Sequence, residues 1–465
     1  MNFKISTNDQ VHFIGIGGIG MSGIAEIMHH IGFKVQGSDV SNDNKNIIRL
    51  QKFGIKIFPS HSKKNIENSK LVVFSSAIKK NNPELIEAKK KNIPIIQRVE
   101  MLAEIIKLKK NIVISGAHGK TTITSLIASI LNKANFDPMI INGGILNSFK
   151  TNAVFGKGDW AVVEADESDG SFLKIPITYS VVSNIDKEHL DYYKNFNNLL
   201  KSFENFIDKT PLIGKSFVCI DNKFVKKITS KKNKLNIITY GFTENADIHP
   251  YNLRYLVGKI VFDLKIKITK KIEIIKNITL NLLGKHNVLN ACVSFGVAKS
   301  LGIKNEIIKK SLQSFDGVQR RLTKISNYKG SEIYDDYAHH PTEIVSVIDA
   351  VRSGIKNKRI ITIFQPHRYS RVLSLKKEFS EAFSKSDLVV LLPIYAASEQ
   401  PIKNINHYNL GKLITRNSKV DVICIENQDD LRNFIKKNAK NDEVIVCMGA
   451  GSISTWIREI MAVLN

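Results

Sequence analysis

Residues 112–125 read IVISGAHGKTTITS. An apolar run of β character, Ile112 to Ser115, breaks at Gly116 and resumes with helical spacing after Gly119, Lys120 and Thr121. Strand, glycine turn and helix in this order make a phosphate cradle. Glycines let backbone N–H groups converge on phosphate oxygens, the helix offers the positive end of its dipole, lysine adds a point charge and a threonine hydroxyl reaches Mg²⁺. The common NTPase cradle has four residues between its first glycine and the Gly-Lys pair. Here only Ala117 and His118 intervene, so the turn is a shortened variant and the generic ATPase reading is too broad. Gly116, Gly119, Lys120 and Thr121 are therefore the first candidate site, for a phosphate-bearing ligand.

Upstream, residues 1 to about 105 alternate short apolar strands with helices, the spacing of a doubly wound parallel sheet. The first strand ends in Gly15-Ile16-Gly17-Gly18-Ile19-Gly20, a G-x-G-x-x-G turn, and Asp39 closes the second strand. That pattern aims a helix N-terminus at a diphosphate, which UDP, ADP and NAD all carry. Downstream, strand DWAVV runs into Glu164-Ala165-Asp166-Glu167-Ser168-Asp169. Carboxylates crowded at the C-terminal edge of such a sheet repel one another unless a cation joins them, and Mg²⁺ takes one or two carboxylates with phosphate oxygens and water. Glu164, nearest the strand, is the first choice of ligand. The strand TYSVVSNI delivers Asp186, Glu188 and His189 to the same kind of edge, where Thr121, Glu164 and His189 can face one phosphate group.

With 465 residues the chain exceeds one hydrophobic core, and its pattern divides into three α/β regions: 1–105, 106–315 and 316–465, the last a second Rossmann-like alternation. The formal charge is +25, but lysine pairs and triplets such as Lys79-Lys80 and Lys89-Lys90-Lys91 are dispersed along the chain. Dispersal marks a solvated surface rather than a nucleic-acid stripe, while still favouring anionic substrates. Cys219, Cys292, Cys424 and Cys447 form no Cys-x-x-Cys pair, no apolar run reaches the length of a membrane span, and a cytoplasmic protein is expected.

HFIGIGGIGMSGIAE, SGAHGKTTITS, EADESDGSFL, SNIDKEHLDYY, GKHNVLNACVSFGVA, GVQRRL, DDYAHHPTEI and FQPHRYSR follow one another in this order. In that order they resemble the Mur ligases, and within them the branch that adds the first amino acid of the peptidoglycan stem peptide. The resemblance implies ATP and Mg²⁺ as cofactors, UDP-N-acetylmuramate and L-alanine as substrates, and an acyl-phosphate intermediate. It implies that Gly116 to Thr122 hold the ATP phosphates, that Thr121, Glu164 and His189 hold Mg²⁺, and that Asn287 and Asn290 lie near adenine. Arg321 and Asp336 are implied at the ATP ribose and phosphates, and Tyr337, His367, Arg368 and Arg371 at the amino acid. His339 is the expected proton acceptor. The N-terminal turn, Gly15, Gly17, Gly18 and Gly20, is reassigned from NAD to UDP, with Asp39 and His61 as nucleoside contacts. Two departures stand out: Ala117 where the family commonly has threonine, and Ser60 before His61 where glycine is usual. Two other functions are weighed. A murein tripeptide recycling ligase typically has tyrosine in the slot of Ser168 and lacks HRYSR; an NAD-dependent oxidoreductase leaves residues 116–122 without a purpose.

Overall fold

In the computed structural model, residues 6–41, 44–75, 77–149, 151–230, 236–256, 258–268, 271–354 and 358–464 are described. The chain divides into two compact units, one of Met1–Tyr251, Asp263–Ile278 and Leu289–Asp316, the other of Asn252–Phe262, Thr279–Val288 and Gly317–Asn465.

The first unit begins with a parallel sheet of β1 (Gln10–Ile14), β2 (Lys34–Ser38), β3 (Lys56–Phe58), β4 (Ser69–Phe74) and β5 (Ile95–Gln97), in the order β3-β2-β1-β4-β5. Strand order reverses beside β1, so the glycine turn after Ile14 opens at the switch point where such sheets receive ligands. Helix Ile19–Ile31 follows that turn.

A larger sheet contains β6 (Lys110–Ser115), β7 (Met139–Leu146), β8 (Thr151–Val154), β9 (Trp160–Glu164), β10 (Tyr179–Val182), β11 (Lys215–Cys219), β12 (Ile237–Tyr240) and β13 (Ile248–Leu256). They run β13-β12-β11-β10-β6-β9-β7-β8, and β14 (Lys259–Ile266) and β15 (Glu273–Leu280) belong to the same sheet. Parallel pairing of β6 with both β9 and β10 brings their C-terminal ends side by side. The sequence pattern finds β6, β9 and β10 but passes over β7, β8 and β13.

One apolar cluster runs through both sheets of this unit. Val11, Phe13, Ile24 and Met28 share it with Val113, Ala153, Val163 and Phe203. Helix Ile19–Ile31 meets β8 so closely that a Cβ on Gly23 would lie 2.9 Å from Ala153 Cβ. The opposite face of the first sheet has a smaller cluster of Ile14, Ile66, Val72, Leu85 and Ala88, covered by helix Pro83–Lys90.

The second unit is built on β16 (Thr323–Tyr328), β17 (Ser331–Asp336), β18 (Arg359–Phe364), β19 (Leu388–Leu391), β20 (Val422–Cys424) and β21 (Glu443–Met448), in the order β16-β17-β21-β18-β19-β20. All pair in parallel except β16, which adds an antiparallel edge. The sheet buries both faces, one against Ile344, Phe379 and Leu410, the other against Leu431, Ile453 and Ile457. The four cysteines are free thiols. No helix among the described residues is long and apolar enough to cross a membrane. The chain is an α/β protein of parallel-sheet domains.

Candidate nucleotide and amino-acid sites

The turn after β6 is shaped by what sits beside it. Gly116 has φ +137, and a Cβ there would fall 2.2 Å from Ser183 Oγ, just past the end of β10. The loop is tied to that strand end by four hydrogen bonds. Ala117 N–H donates to Asn184 O (3.0 Å) and His118 N–H to Asn184 Oδ1 (2.8 Å). Ser183 Oγ and Asn184 Nδ2 donate back to His118 O (2.6 and 3.0 Å). Gly119, φ +88, then caps helix Lys120–Lys133, whose first intrahelical bond is Ile123 N–H to Gly119 O. The N–H groups of Lys120, Thr121 and Thr122 precede that bond and have no helical acceptor, which is the physical basis of anion capture at a helix start.

Lys120 and Thr121 meet carboxylates from the end of β9. Lys120 Nζ lies 2.9 Å from Glu167 Oε1 and also donates to Gly116 O at 2.5 Å. Thr121 Oγ1 donates to Glu164 Oε1 (3.1 Å), while Gly143 N–H from β7 donates to Glu164 Oε2 (2.7 Å). Burial works against a charge on Lys120, but Glu167, Glu164 and Asp166 together overcome it and hold its pKa above the ordinary lysine value. Burial pushes the Glu167 carboxyl up, with Lys120 opposing and Asp166 adding to the rise.

His189, φ +57, sits just before a short helix and points Nε2 at Glu167 Oε1 (3.9 Å) and Glu188 Oε2 (3.8 Å). One ligand atom each from Glu167, Glu188 and His189 lies within 4.8 Å of the others. So Thr121 joins Glu164, and His189 joins Glu167, a residue of the acidic run that sequence reasoning left behind in favour of Glu164. Glu167 is 2% exposed, and its Oε2 has no hydrogen-bond partner. An orphaned buried carboxylate oxygen on Glu167, grouped with a second carboxylate, Glu188, and the His189 imidazole, is a donor set that fits a divalent cation.

At the N-terminal turn, Gly15 and Ile16 donate to Ser38 O (2.8 and 3.1 Å) and Gly17 N–H donates to Asp39 Oδ2 (2.8 Å). Asp39 Oδ1 accepts from Ser41 N–H at 3.0 Å. Asp39 thus ties the glycine loop with one oxygen and the turn that follows β2 with the other. Space explains two glycines: a Cβ on Gly17 would lie 2.9 Å from Asp39 Oδ2, and one on Gly20 2.9 Å from an Arg98 guanidinium nitrogen. Gly18 continues the turn, with its N–H on Gly15 O. His61 stands past the end of β3, its Nδ1 3.0 Å from Ser38 Oγ.

Helix Lys285–Ser300 carries both predicted adenine contacts. Asn290 Oδ1 comes 2.9 Å from where a Gly119 Cβ would stand, placing it against the phosphate turn, while Asn287 Nδ2 donates to Leu283 O (2.8 Å).

In the second unit the predicted residues form one cluster. The Tyr337 ring lies 5.2 Å from that of His339, His339 5.8 Å from His367, and Arg371 is 3.3 Å from His367 Nδ1. Arg320 and Arg321 lie over the Tyr337 ring at 4.7 and 5.5 Å. Asp336 accepts from Leu322 N–H (2.6 Å) and Ala338 N–H (2.7 Å), and burial raises its carboxyl to about 6 despite Arg321. Burial, followed by the charges of His339, Arg371 and Arg368, pushes His367 down to about 4, so it is neutral near pH 7.

Sequence reasoning missed the segment that clamps this cluster. Tyr395 stacks on His367 at 5.5 Å, donates its N–H to Pro366 O and accepts from Arg368 N–H, both at 2.8 Å. Glu399 accepts from Ser370 N–H and Oγ at 3.0 and 2.6 Å. These bonds hold Arg368 at φ +68, a conformation that non-glycine residues rarely adopt and that local packing must stabilise.

Three family models match in succession: "Mur ligase family, catalytic domain" over residues 10–110, "Mur ligase middle domain" over 114–298 and "Mur ligase, glutamate ligase domain" over 320–451. The UDP-N-acetylmuramate–L-alanine ligase of Pelagibacter ubique is 51% identical over 461 residues, 99% of each chain. The enzyme of the same name from Bartonella henselae is 45% identical over 448 residues, 96% of this chain and 94% of that one. Among solved structures, the UDP-N-acetylmuramate-alanine ligase of Thermotoga maritima superposes with a TM-score of 0.81 at 26% identity, covering 97% and 98% of the two chains.

Proposed function

This chain belongs to the Mur ligase family, and from that premise we propose how its residues divide the work of the alanine-adding reaction. The enzyme joins L-alanine to UDP-N-acetylmuramate, with ATP converted to ADP and phosphate, a step of peptidoglycan precursor synthesis. The observation that carries the assignment of roles is the meeting of Lys120 and Thr121 with Glu164 and Glu167 on neighbouring strand ends.

A carboxylate is a poor electrophile. The lactyl carboxylate of the muramoyl group therefore attacks the γ-phosphorus of ATP, the bond to the bridging oxygen breaks and ADP leaves. The resulting acyl phosphate then accepts the alanine amine at its carbonyl carbon, and phosphate departs with the electron pair. The first step brings anion against anion, so the positive Lys120 and the N–H groups of Lys120, Thr121 and Thr122 at the helix start supply the screening. Thr121, Glu164 and His189, with Glu167 added, would hold Mg²⁺, which when bound neutralises charge on the phosphates. Asn287 and Asn290 serve adenine, and Arg321 and Asp336 the ATP ribose and phosphates. Arg368 and Arg371 clamp the alanine carboxylate, since a guanidinium matches it in two parallel hydrogen bonds. His339 is the proton acceptor of our reading, with Tyr337 and neutral His367 forming the wall of the amino-acid site. The turn Gly15, Gly17, Gly18 and Gly20 takes the uridine diphosphate, with His61 at the nucleoside. Domain limits near 105 and 315 and a cytoplasmic site of action complete the reading.

Phosphate release measured with each amino acid, with and without UDP-N-acetylmuramate, tests this. Release that requires both the UDP-sugar and L-alanine is the expected result. Hydrolysis independent of the UDP-sugar, or NADH formation from an added alcohol, would overturn it.

A further inference from the structure

Glu84 is the most deeply enclosed acid of the first sheet, with 0% of its surface exposed, and it lies outside every role assigned above. It is the second residue of helix Pro83–Lys90, and a ring of donors converges on it. Ser38 Oγ donates to Oε2 at 2.7 Å, Asn65 Nδ2 to Oε1 at 2.7 Å, and His12 Nε2 lies 3.4 Å from Oε1. Ser62 N–H donates to Oε1 at 3.4 Å, and His61 approaches from the other side, its Nδ1 3.2 Å from Glu84 Oε2 and 3.0 Å from Ser38 Oγ. Burial opposes the Glu84 charge, but His12, Ser38 and Asn65 outweigh it and keep the carboxyl below its ordinary range, so Glu84 is an acceptor only.

That inventory fixes where the proton of His61 resides. Ser38 has a single hydroxyl hydrogen, and the 2.7 Å contact with a carboxylate claims it. Ser38 Oγ therefore turns a lone pair toward His61, as Glu84 does. Two acceptors face Nδ1, so Nδ1 carries the hydrogen and Nε2 of a neutral ring carries the lone pair. The imidazole, 19% exposed, has its Nδ1 committed inward and offers a ligand an acceptor.

We propose that Glu84 is a positioning residue that sets the tautomer of His61, and that Nε2 of His61 thereby selects a base with a ring N–H on its pairing edge. Uracil carries a hydrogen on N3; cytosine has a lone pair there, which would face the lone pair of Nε2. The buried acid thus determines which pyrimidine nucleotide the turn accepts. This rests on the reading of His61 as the nucleoside contact.

Nitrogen NMR of histidine-labelled full-length enzyme reads the tautomer directly, without substitution. The expected state is Nδ1–H with unprotonated Nε2 for His61, assigned by its loss in His61→Ala; an Nε2–H ring would overturn the inference. Calorimetric titration with UDP and with CDP supplies the second arm. The native enzyme is expected to prefer UDP by about tenfold or more, the worth of about one hydrogen bond. Glu84→Gln, whose amide can donate to Nδ1 and reverse the ring, and His61→Ala are expected to lose that preference while KM for ATP stays put. An unchanged UDP-to-CDP ratio in both variants, with UDP still bound, overturns this inference alone. A native enzyme that binds no UDP overturns the functional reading together with it.

Discussion

Lys120 keeps its charge in an enclosed site because Glu167, Glu164 and Asp166 surround it, and that arrangement has a measurable consequence. Glu167→Gln leaves Lys120 with the carbonyls of Gly116 and Ala117 and removes its nearest counter-charge. A charge-assisted hydrogen bond of this kind is worth about 1.5–3 kcal/mol. The variant is expected to stay folded by circular dichroism and to lose about 10- to 100-fold in kcat, with KM for L-alanine unchanged, in steady-state phosphate release. Asp336 gives a pH-dependent counterpart. Its folded pKa, about 6, stands above the 3.8 of an unperturbed aspartate. Between those values the folded chain retains a proton that the unfolded chain has released, so the contribution is fully present below about pH 4 and is lost as pH rises through about 6. The span corresponds to about 3 kcal/mol. Urea unfolding at pH 5 and pH 7.5 is expected to show Asp336→Asn gaining on the native protein as pH rises, with a constant difference between the two as the contrary result. Glu167 stands in an acidic run of the sequence, whereas Asp336 was implied only by the family resemblance. What a sequence cannot display is which carboxylate of a run faces inward, and so Glu164 was singled out where Glu167 also takes part.

Strands β1 and β6 end in glycine turns, and one glycine after β6 and another within β7 separate backbone strain from displacement of a side chain. Gly116 needs φ +137, and a Cβ there would press on Ser183 Oγ and the Asn184 backbone. Gly116→Ala is therefore expected to lose about 2 kcal/mol or more in chemical unfolding, as well as ATP binding. Gly143 lies within β7, where a Cβ would fall 2.6 Å from Glu164 Oε1 and the other atoms nearby are also the far end of that side chain. Gly143→Ala is expected to move Glu164 off Thr121 at little cost to stability, below about 1 kcal/mol, with activity down about tenfold or more. Equal losses of stability in both variants would contradict the distinction. Glycine also explains why β7 was hard to read. In MIINGGIL the pair Gly143-Gly144 looks like a chain break, yet one of them marks a close approach between strand and carboxylate. Strands β6, β9 and β10 were legible because they are buried apolar runs closed by polar ends, whereas β16, an antiparallel edge, alternates and carries lysine and asparagine. Tyr395 and Glu399 gave no signal, since clamping the 366–371 segment depends on partners distant in sequence.

At the scale of the whole molecule, three α/β regions were legible from strand spacing, but the sharing of cores was not. Periodicity shows that a helix has an apolar face; it does not say which sheet covers that face. Helix Ile19–Ile31 places Ile24 and Met28 in the cluster that also holds Ala153 and Phe203, and Asn152 Nδ2 donates to Ile19 O while Arg49 donates to Asn152 Oδ1. Residues 1–105 thus bury part of their apolar surface against the next region. A fragment ending near residue 108 would expose that face, and a chain of about that length has little reserve, since stability is a small difference between large terms. Residues 317–465, by contrast, contain apolar clusters on both faces of their own sheet. Expressed separately, the C-terminal fragment is expected to melt as one cooperative transition by circular dichroism. The N-terminal fragment is expected to melt broadly and to bind a dye for exposed apolar surface. A sharp, reversible transition in the N-terminal fragment, with no dye binding, would show that its own sheet suffices and that the shared cluster adds nothing essential to its folding.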